Sequence, residues 1–155
     1  MDDRTSFFKH LDNDINRCQK NNQALGLLLV KILRIHDINA TFGYQTGDEL
    51  LLEIHEKIKN LLRPNDSISN ITHNEFALIL PDIHRKGHSI IAATRIKEEL
   101  KKPILLNGKN IVVQINIGIA GFPDYGHDAE SLTSHADIAL RHAKSSSKDF
   151  EIYSH

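Results

Sequence analysis

The residue types with the most chemical content fall in a few short groups. Thr72-His73-Asn74-Glu75 is a polar stretch between two apolar runs, with Phe76 behind it. Arg63-Pro64-Asn65-Asp66 lies just upstream and sets a guanidinium three residues before a carboxylate. A guanidinium fork takes phosphate in bidentate fashion, and a carboxylate accepts from N–H donors. Lys31 interrupts the apolar run from Leu25 to Leu33, and His36, Asn39 and Asp48 follow it. Lys144 and Lys148 stand near the end of the chain. Each group also has a plain structural role. Lys31 can snorkel to solvent from a strand end. Asp48 suits the first turn of a helix, and Lys144 and Lys148 suit a last turn, because each complements the helix dipole. Asn39 fits a turn, Arg63 a helix end and Asp66 a strand start.

The whole chain bounds what these groups can serve. Its 155 residues favour one domain with a full core. Hydrophobic residues make up 40% and charged residues 25%, the composition of an ordinary globular protein. The formal net charge of −1 provides no global pull toward nucleic acid or an anionic membrane, and neither is expected as a partner. Cys18 is the only cysteine, so no internal disulfide can form. An inert thiol on an N-terminal helix in a reducing, cytoplasmic setting is expected. No apolar run approaches the roughly 20 residues that span a bilayer. Met1-Asp2-Asp3-Arg4 precedes no apolar leader pattern.

Hydrophobic periodicity predicts the elements. Phe7, Phe8, Leu11, Ile15 and Cys18 mark an amphipathic helix over 4–21. Leu25 to Leu33 reads as a buried central strand. Arg34 to Phe42 reads as a helical turn closed by Gly43. A helix over 46–62 opens at Thr46-Gly47-Asp48, carries Leu50, Leu51, Ile54, Ile58, Leu61 and Leu62, and stops at Pro64. A hairpin of Ser67–Ile71 and Phe76–Leu80 follows, ended by Pro81. A helix from Gly87 to Lys101 turns Ile90, Ile91, Ala93, Ile96 and Leu100 inward. Pro103–Leu106 and Ile111–Ala120 are strand runs joined through the Asn107-Gly108 turn signal. Asp128 to Ser145 is the last helix, and Phe150–Tyr153 a closing strand. Hairpins between helices argue for an α+β domain with a largely antiparallel sheet.

This element order, with the local motifs, resembles the GGDEF family of diguanylate cyclase domains over about Asp3 to Tyr153. The resemblance implies a nucleotidyl-cyclase palm (ferredoxin-like), with a mostly antiparallel five-stranded sheet flanked by helices and a small hairpin at Pro103–Val113. Family members join two GTP molecules into cyclic di-GMP across a face-to-face pair of domains. They use Mg²⁺ held by a strand-end aspartate and an acid in the signature hairpin. Here the metal aspartate aligns with Lys31, the second aspartate with Leu33 and the phosphate-side lysine with His36. The hairpin signature aligns with Thr72-His73-Asn74-Glu75-Phe76. Thr72 and His73 replace two glycines, Asn74 replaces the metal-binding acid, and Glu75 is retained. An ammonium repels Mg²⁺ and a neutral amide binds it poorly. No cofactor and no metal site of the family kind is therefore expected. His36 and His73 are the one histidine pair among these positions, and imidazoles without a carboxylate suit Zn²⁺ better than Mg²⁺.

The resemblance also implies retained sites. The family's guanine-reading pair corresponds to Asn39 and Asp48, and its phosphate contacts to Lys144 and Lys148. Its inhibitory cyclic di-GMP site corresponds to Arg63 and Asp66, with Arg95 on the next helix. The implied function is that of a catalytically degenerate domain, regulating or sensing GTP or cyclic di-GMP within a longer protein. A neighbouring phosphodiesterase or sensor domain and a homodimer are its expected partners. The alternatives are an active diguanylate cyclase with atypical metal ligation and a structural dimerisation module that binds no nucleotide.

Overall fold

Leu25 to Val30 is apolar on both faces, and it forms the middle of the sheet. The computed structural model describes residues 3–85 and 87–154. The chain runs through α1 (Asp3–Lys20), β1 (Ala24–Leu33), α2 (Ile35–Phe42), α3 (Tyr44–Lys59), β2 (Ser67–Thr72) and β3 (Glu75–Ile83). It continues through α4 (Gly87–Leu100), β4 (Ile104–Leu106), β5 (Lys109–Ile111), β6 (Gln114–Phe122), α5 (Ala129–Ser145) and β7 (Phe150–Ile152). The five-stranded sheet has the order β2-β3-β1-β6-β7, and β4-β5 forms a separate hairpin. All pairings are antiparallel except β6 with β7. This is the expected α+β architecture.

Strand alternation sends β1 side chains into two cores. Leu28, Val30 and Ile32 pack with Leu50, Ile54 and Ile58 of α3 and with Ala93, Ile96 and Leu100 of α4. Leu25, Leu27 and Leu29 pack with Phe7, Leu11, Ile15 and Cys18 of α1 and with Leu132, Ala136 and Leu140 of α5. Full burial of each such aliphatic side chain contributes about 1.5–3 kcal/mol. Cys18 is a free, buried thiol in this second core, and burial pushes its pKa up, as an inert role requires. Gly43 ends α2 and begins α3 in one residue, with φ at 92°, a conformation that favours glycine. That sharp elbow places α2 at the β1 end of the sheet.

Three element boundaries and one helix face depart from the sequence reading. Pro81 does not end its strand. β3 continues to Ile83 through a bulge, because Leu80 pairs with Gly26 but Ile83 pairs with Ala24. Pro81 and Asp82 therefore oppose the single residue Leu25, and a bulge tolerates a residue with no N–H. Helix α3 starts at Tyr44 and ends at Lys59, so Leu61 and Leu62 reach the core from the following turn. The run from Ile111 divides: Ile111 closes the β4–β5 hairpin, and β6 starts only at Gln114. Ile91 points outward, 59% exposed, and Ser89 is buried in its place. Helix α4 presents 89, 93, 96 and 100 to the sheet, which is helical spacing on one face.

Candidate functional site

The hairpin tip is anchored on the end of β1. Thr72 pairs with Glu75 across a two-residue turn, His73-Asn74. The Ile32 N–H donates to the Asn74 backbone carbonyl at 2.8 Å, and the Asn74 carboxamide donates to the Ile32 carbonyl at 3.3 Å. Its side-chain oxygen accepts from the Thr72 hydroxyl at 3.1 Å. Among the described residues, the non-glycine ones with positive φ are Asn22, Arg34, Asp82, Asn107 and Ser147, so the tip turns without a left-handed residue. Thr72 and His73 therefore bring bulk to the tip, not backbone strain.

Lys31 is half-buried and lies in register between Glu75 of β3 and Asn116 of β6. Alternation puts these three residues on the α1/α5 face of the sheet. The Asn116 side chain donates to the Lys148 carbonyl at 2.8 Å, and its oxygen has no partner among the described residues. Nothing in the sequence reading singled out Asn116. Its signal was a polar residue at a position of β6 between buried isoleucines.

These donors do not fit a hard divalent cation. The Asn74 amide is engaged by Thr72 and Ile32, Lys31 carries positive charge, and Leu33 has no ligand atom. Among the described residues no group of three histidine, cysteine or acidic side chains converges on one point. Glu75, the retained acid, sits instead in a recess with Arg4, Phe8, Glu130 and Asp137.

Burial, and after it the Asp137 charge, raises the Glu75 pKa above its ordinary 4.5, against the opposing pull of Lys31 and Arg4. A carboxyl raised by folding holds its proton more tightly in the folded state. Its ionisation then costs stability at high pH, and the cost vanishes below the unfolded pKa. Glu75→Gln is expected to stabilise the fold at neutral pH, and urea unfolding near pH 4 should show the gain shrinking toward zero. Equal gains at both pH values would contradict this.

Asn39 of α2 meets Gly47 of α3 across the elbow, next to Asp48 in the chain. The Asn39 backbone carbonyl accepts from the Gly43 N–H at 2.8 Å. Its side-chain oxygen lies against Gly47, only 1.8 Å from where a Cβ would stand. Asp48 follows and is exposed. Because α3 begins at Tyr44, Asp48 lies past the first turn, which weakens the dipole account of this residue. Gly47→Ala is expected to push the Asn39 carboxamide aside at small cost in stability, since that side chain can rotate. If Asn39 reads a base, GTP affinity falls about tenfold or more, by loss of roughly one bidentate contact; calorimetry measures it.

Lys144 and Lys148 border a cavity of about 570 Å³ that also takes in Lys97, Lys101 and Asn116. Lys97 of α4 and Lys101, just past its end, carry no motif in the sequence; both approach Asp149, at 3.8 and 3.9 Å. Lys148 also pairs with Glu151 at 3.7 Å, so four ammonium groups against Asp149 and Glu151 leave this end of the sheet with a cationic excess.

Arg63 and Asp66 form a closed unit. The Asp66 carboxylate accepts from the Arg63 backbone N–H at 2.7 Å, from Nη2 at 2.7 Å and from Nε at 3.1 Å. Nη2 also donates to the Pro81 carbonyl at 2.6 Å, at the bulge of β3. The Asp66 side chain is 2% exposed and that of Arg63 37%. The exposed part of the guanidinium faces a cavity of about 450 Å³ lined also by His55, Lys59 and Leu62. Arg95 is exposed on α4 and does not line that cavity. His88, at the start of α4, has its pKa lowered by burial and by the Arg63 charge.

A family model described as diguanylate cyclase, GGDEF domain, matches residues 1–149. The chain is 26% identical over 144 residues to the cyclic di-GMP phosphodiesterase NbdA of Pseudomonas aeruginosa, covering 93% of this chain and 18% of that protein. It is 31% identical over 140 residues to the probable diguanylate cyclase DgcC of Escherichia coli K12, covering 90% of this chain and 37% of that protein. It thus spans well under half the length of these relatives. The crystal structure of the GGDEF domain of TpbB (YfiN) from Pseudomonas aeruginosa superposes with a TM-score of 0.94 at 25% identity, covering 98% of this chain and 96% of that one.

Proposed function

The chain belongs to the GGDEF family of diguanylate cyclase domains, and on that premise we propose that it is a catalytically silent member that regulates cyclic di-GMP signalling by binding nucleotide. The observation that carries this reading is the pair Lys31 and Asn74. Positive charge stands at one family metal position, and at the other an amide is committed to Thr72 and Ile32. Phosphoryl transfer to a 3′-hydroxyl needs the charge on the triphosphate neutralised, and these two residues cannot hold the ion that does so.

What remains is binding chemistry. Asn39 and Asp48 supply an amide and a carboxylate for the guanine edge. Lys144 and Lys148 supply positive charge for phosphates, without the bidentate geometry of arginine. Arg63 and Lys59, beside His55 and the Asp66 carboxylate that Arg63 pairs with, offer donors for the phosphates of cyclic di-GMP. The match to a fraction of a protein named as a phosphodiesterase supports a role beside another domain in a longer chain. Among the described residues no helix is long and apolar enough to cross a membrane.

Incubation with GTP and Mg²⁺ or Mn²⁺ is expected to yield no cyclic di-GMP by chromatography; product formation sinks the silent reading. Calorimetry with cyclic di-GMP tests the sensing role. Lys59→Ala is the better probe, because Lys59 lines the recess without holding Asp66. No binding by the wild-type chain to either cyclic di-GMP or GTP would reduce the domain to a structural module.

A further inference from the structure

His36 and His73 come from opposite sides of the β1 end, one in the first turn of α2 and one at the hairpin tip. Their ring centroids lie 5.8 Å apart with planes inclined by 41°. Both side chains are exposed. A tetrahedral Zn²⁺ takes imidazole nitrogens at about 2.0–2.1 Å, which places the centroids of two rings on one ion on the order of 5 Å apart. The observed separation lies within about 1 Å of that value.

The backbone under both residues is anchored to one strand. The tip is tied to Ile32 through Asn74, and α2 follows β1 after Arg34 alone. The nearby acids are otherwise engaged: Asp37 pairs with Arg34 at 2.9 Å, and Glu75 belongs to the α1/α5 face. The available donor set is two imidazoles and no carboxylate. That set favours a borderline divalent ion such as Zn²⁺ over Mg²⁺ or Ca²⁺.

We propose that His36 and His73 form a two-histidine site for a borderline divalent transition metal, which clips the β2–β3 hairpin to α2 and leaves its remaining positions to water. The site is independent of the regulatory reading above, since it uses neither Arg63 nor the guanine-edge residues.

The test is calorimetric titration of the untagged chain with Zn²⁺, and separately with Mg²⁺, in wild type, His36→Gln and His73→Gln. One Zn²⁺ per chain is expected, with Mg²⁺ not competing. Either substitution should weaken Zn²⁺ binding at least tenfold, while His84→Gln and His127→Gln, on exposed loop histidines, leave it unchanged. Zn²⁺ at about one hundred times its Kd should raise the wild-type thermal midpoint by roughly 5–10 °C, and that rise should disappear in either variant. Nitrogen NMR of the imidazoles should show Zn²⁺ shifts at His36 and His73 alone. Absence of Zn²⁺ binding by the wild-type chain overturns the site. So does binding that survives both substitutions, because other histidines then hold the ion.

Discussion

Arg63→Ala is expected to destabilise the domain by about 2–3 kcal/mol, read as a lower urea midpoint with an unchanged slope. The cause is what the substitution leaves behind. The Asp66 carboxylate is 2% exposed and would keep only the backbone N–H of residue 63. Removing one partner of a buried pair costs about 3–5 kcal/mol when the remaining charge is fully stranded. The exposed part of the guanidinium and the surviving backbone bond lower that figure here. The Pro81 carbonyl at the β3 bulge loses its donor at the same time. Arg63→Ala/Asp66→Ala should therefore be less destabilised than Arg63→Ala alone, because no carboxylate is stranded. A double variant worse than the single one would show that the pair stabilises through packing instead. The result also governs how ligand binding is read. A weak response of Arg63→Ala to cyclic di-GMP means little unless the folded fraction is known.

Gly118→Ala is expected to cost about 3 kcal/mol or more, which makes it the most damaging single-methyl change in the sheet. A Cβ there would stand 2.3 Å from the Ala136 carbonyl oxygen and 2.4 Å from the Leu140 nitrogen. Both are backbone atoms of α5, so no side chain can turn away, and the helix must lift from β6. That would loosen Leu132, Ala136 and Leu140 in the second core. It would also shift Lys144 at the end of the same helix, so phosphate affinity should fall with stability. Gly121 is the internal comparison. It lies in the same strand, and its Cβ would meet only the Leu25 carbonyl at 4.0 Å. Gly121→Ala should change stability by no more than about 0.5 kcal/mol. Equal effects at the two glycines would mean that general strand propensity, not the α5 contact, sets the cost.

Much of the architecture was written locally. Leu25 to Val30 announced a strand buried on both faces, because apolar residues occupy both alternating sets. Leu50, Ile54 and Ile58 announced one face of a helix, and Asn107-Gly108 a hairpin. The misread boundaries share a cause. Pro81 reads as a stop because proline cannot donate to a ladder, yet the β3 bulge opposite Leu25 needs no donor there. Apolarity alone turns Ile91 inward, yet the face that carries Ala93 and Ile96 runs back four residues to Ser89, which packs over Gly26. Helix phase is poorly defined by a short run in which Ile90, Ile91, Ala92 and Ala93 are all apolar.

The candidate site divides in the same way. Which chemical groups are present is legible in the chain: Arg63 three residues before Asp66, Lys144 and Lys148 near the last helix, and Lys31 and Asn74, which the family resemblance aligns with metal-binding acids. Identity and spacing along the chain suffice for that, since they need no knowledge of what packs where. Only the tertiary structure decided what each group faces. It closed Arg63 on Asp66 and Pro81, set Asn116 opposite Lys31, laid Asn39 over Gly47, and brought His36 within reach of His73. Three of those relations, Arg63 with Pro81, Lys31 with Asn116 and His36 with His73, join residues far apart in the chain. They follow from strand register and helix seating, which the whole core selects together and no local pattern encodes.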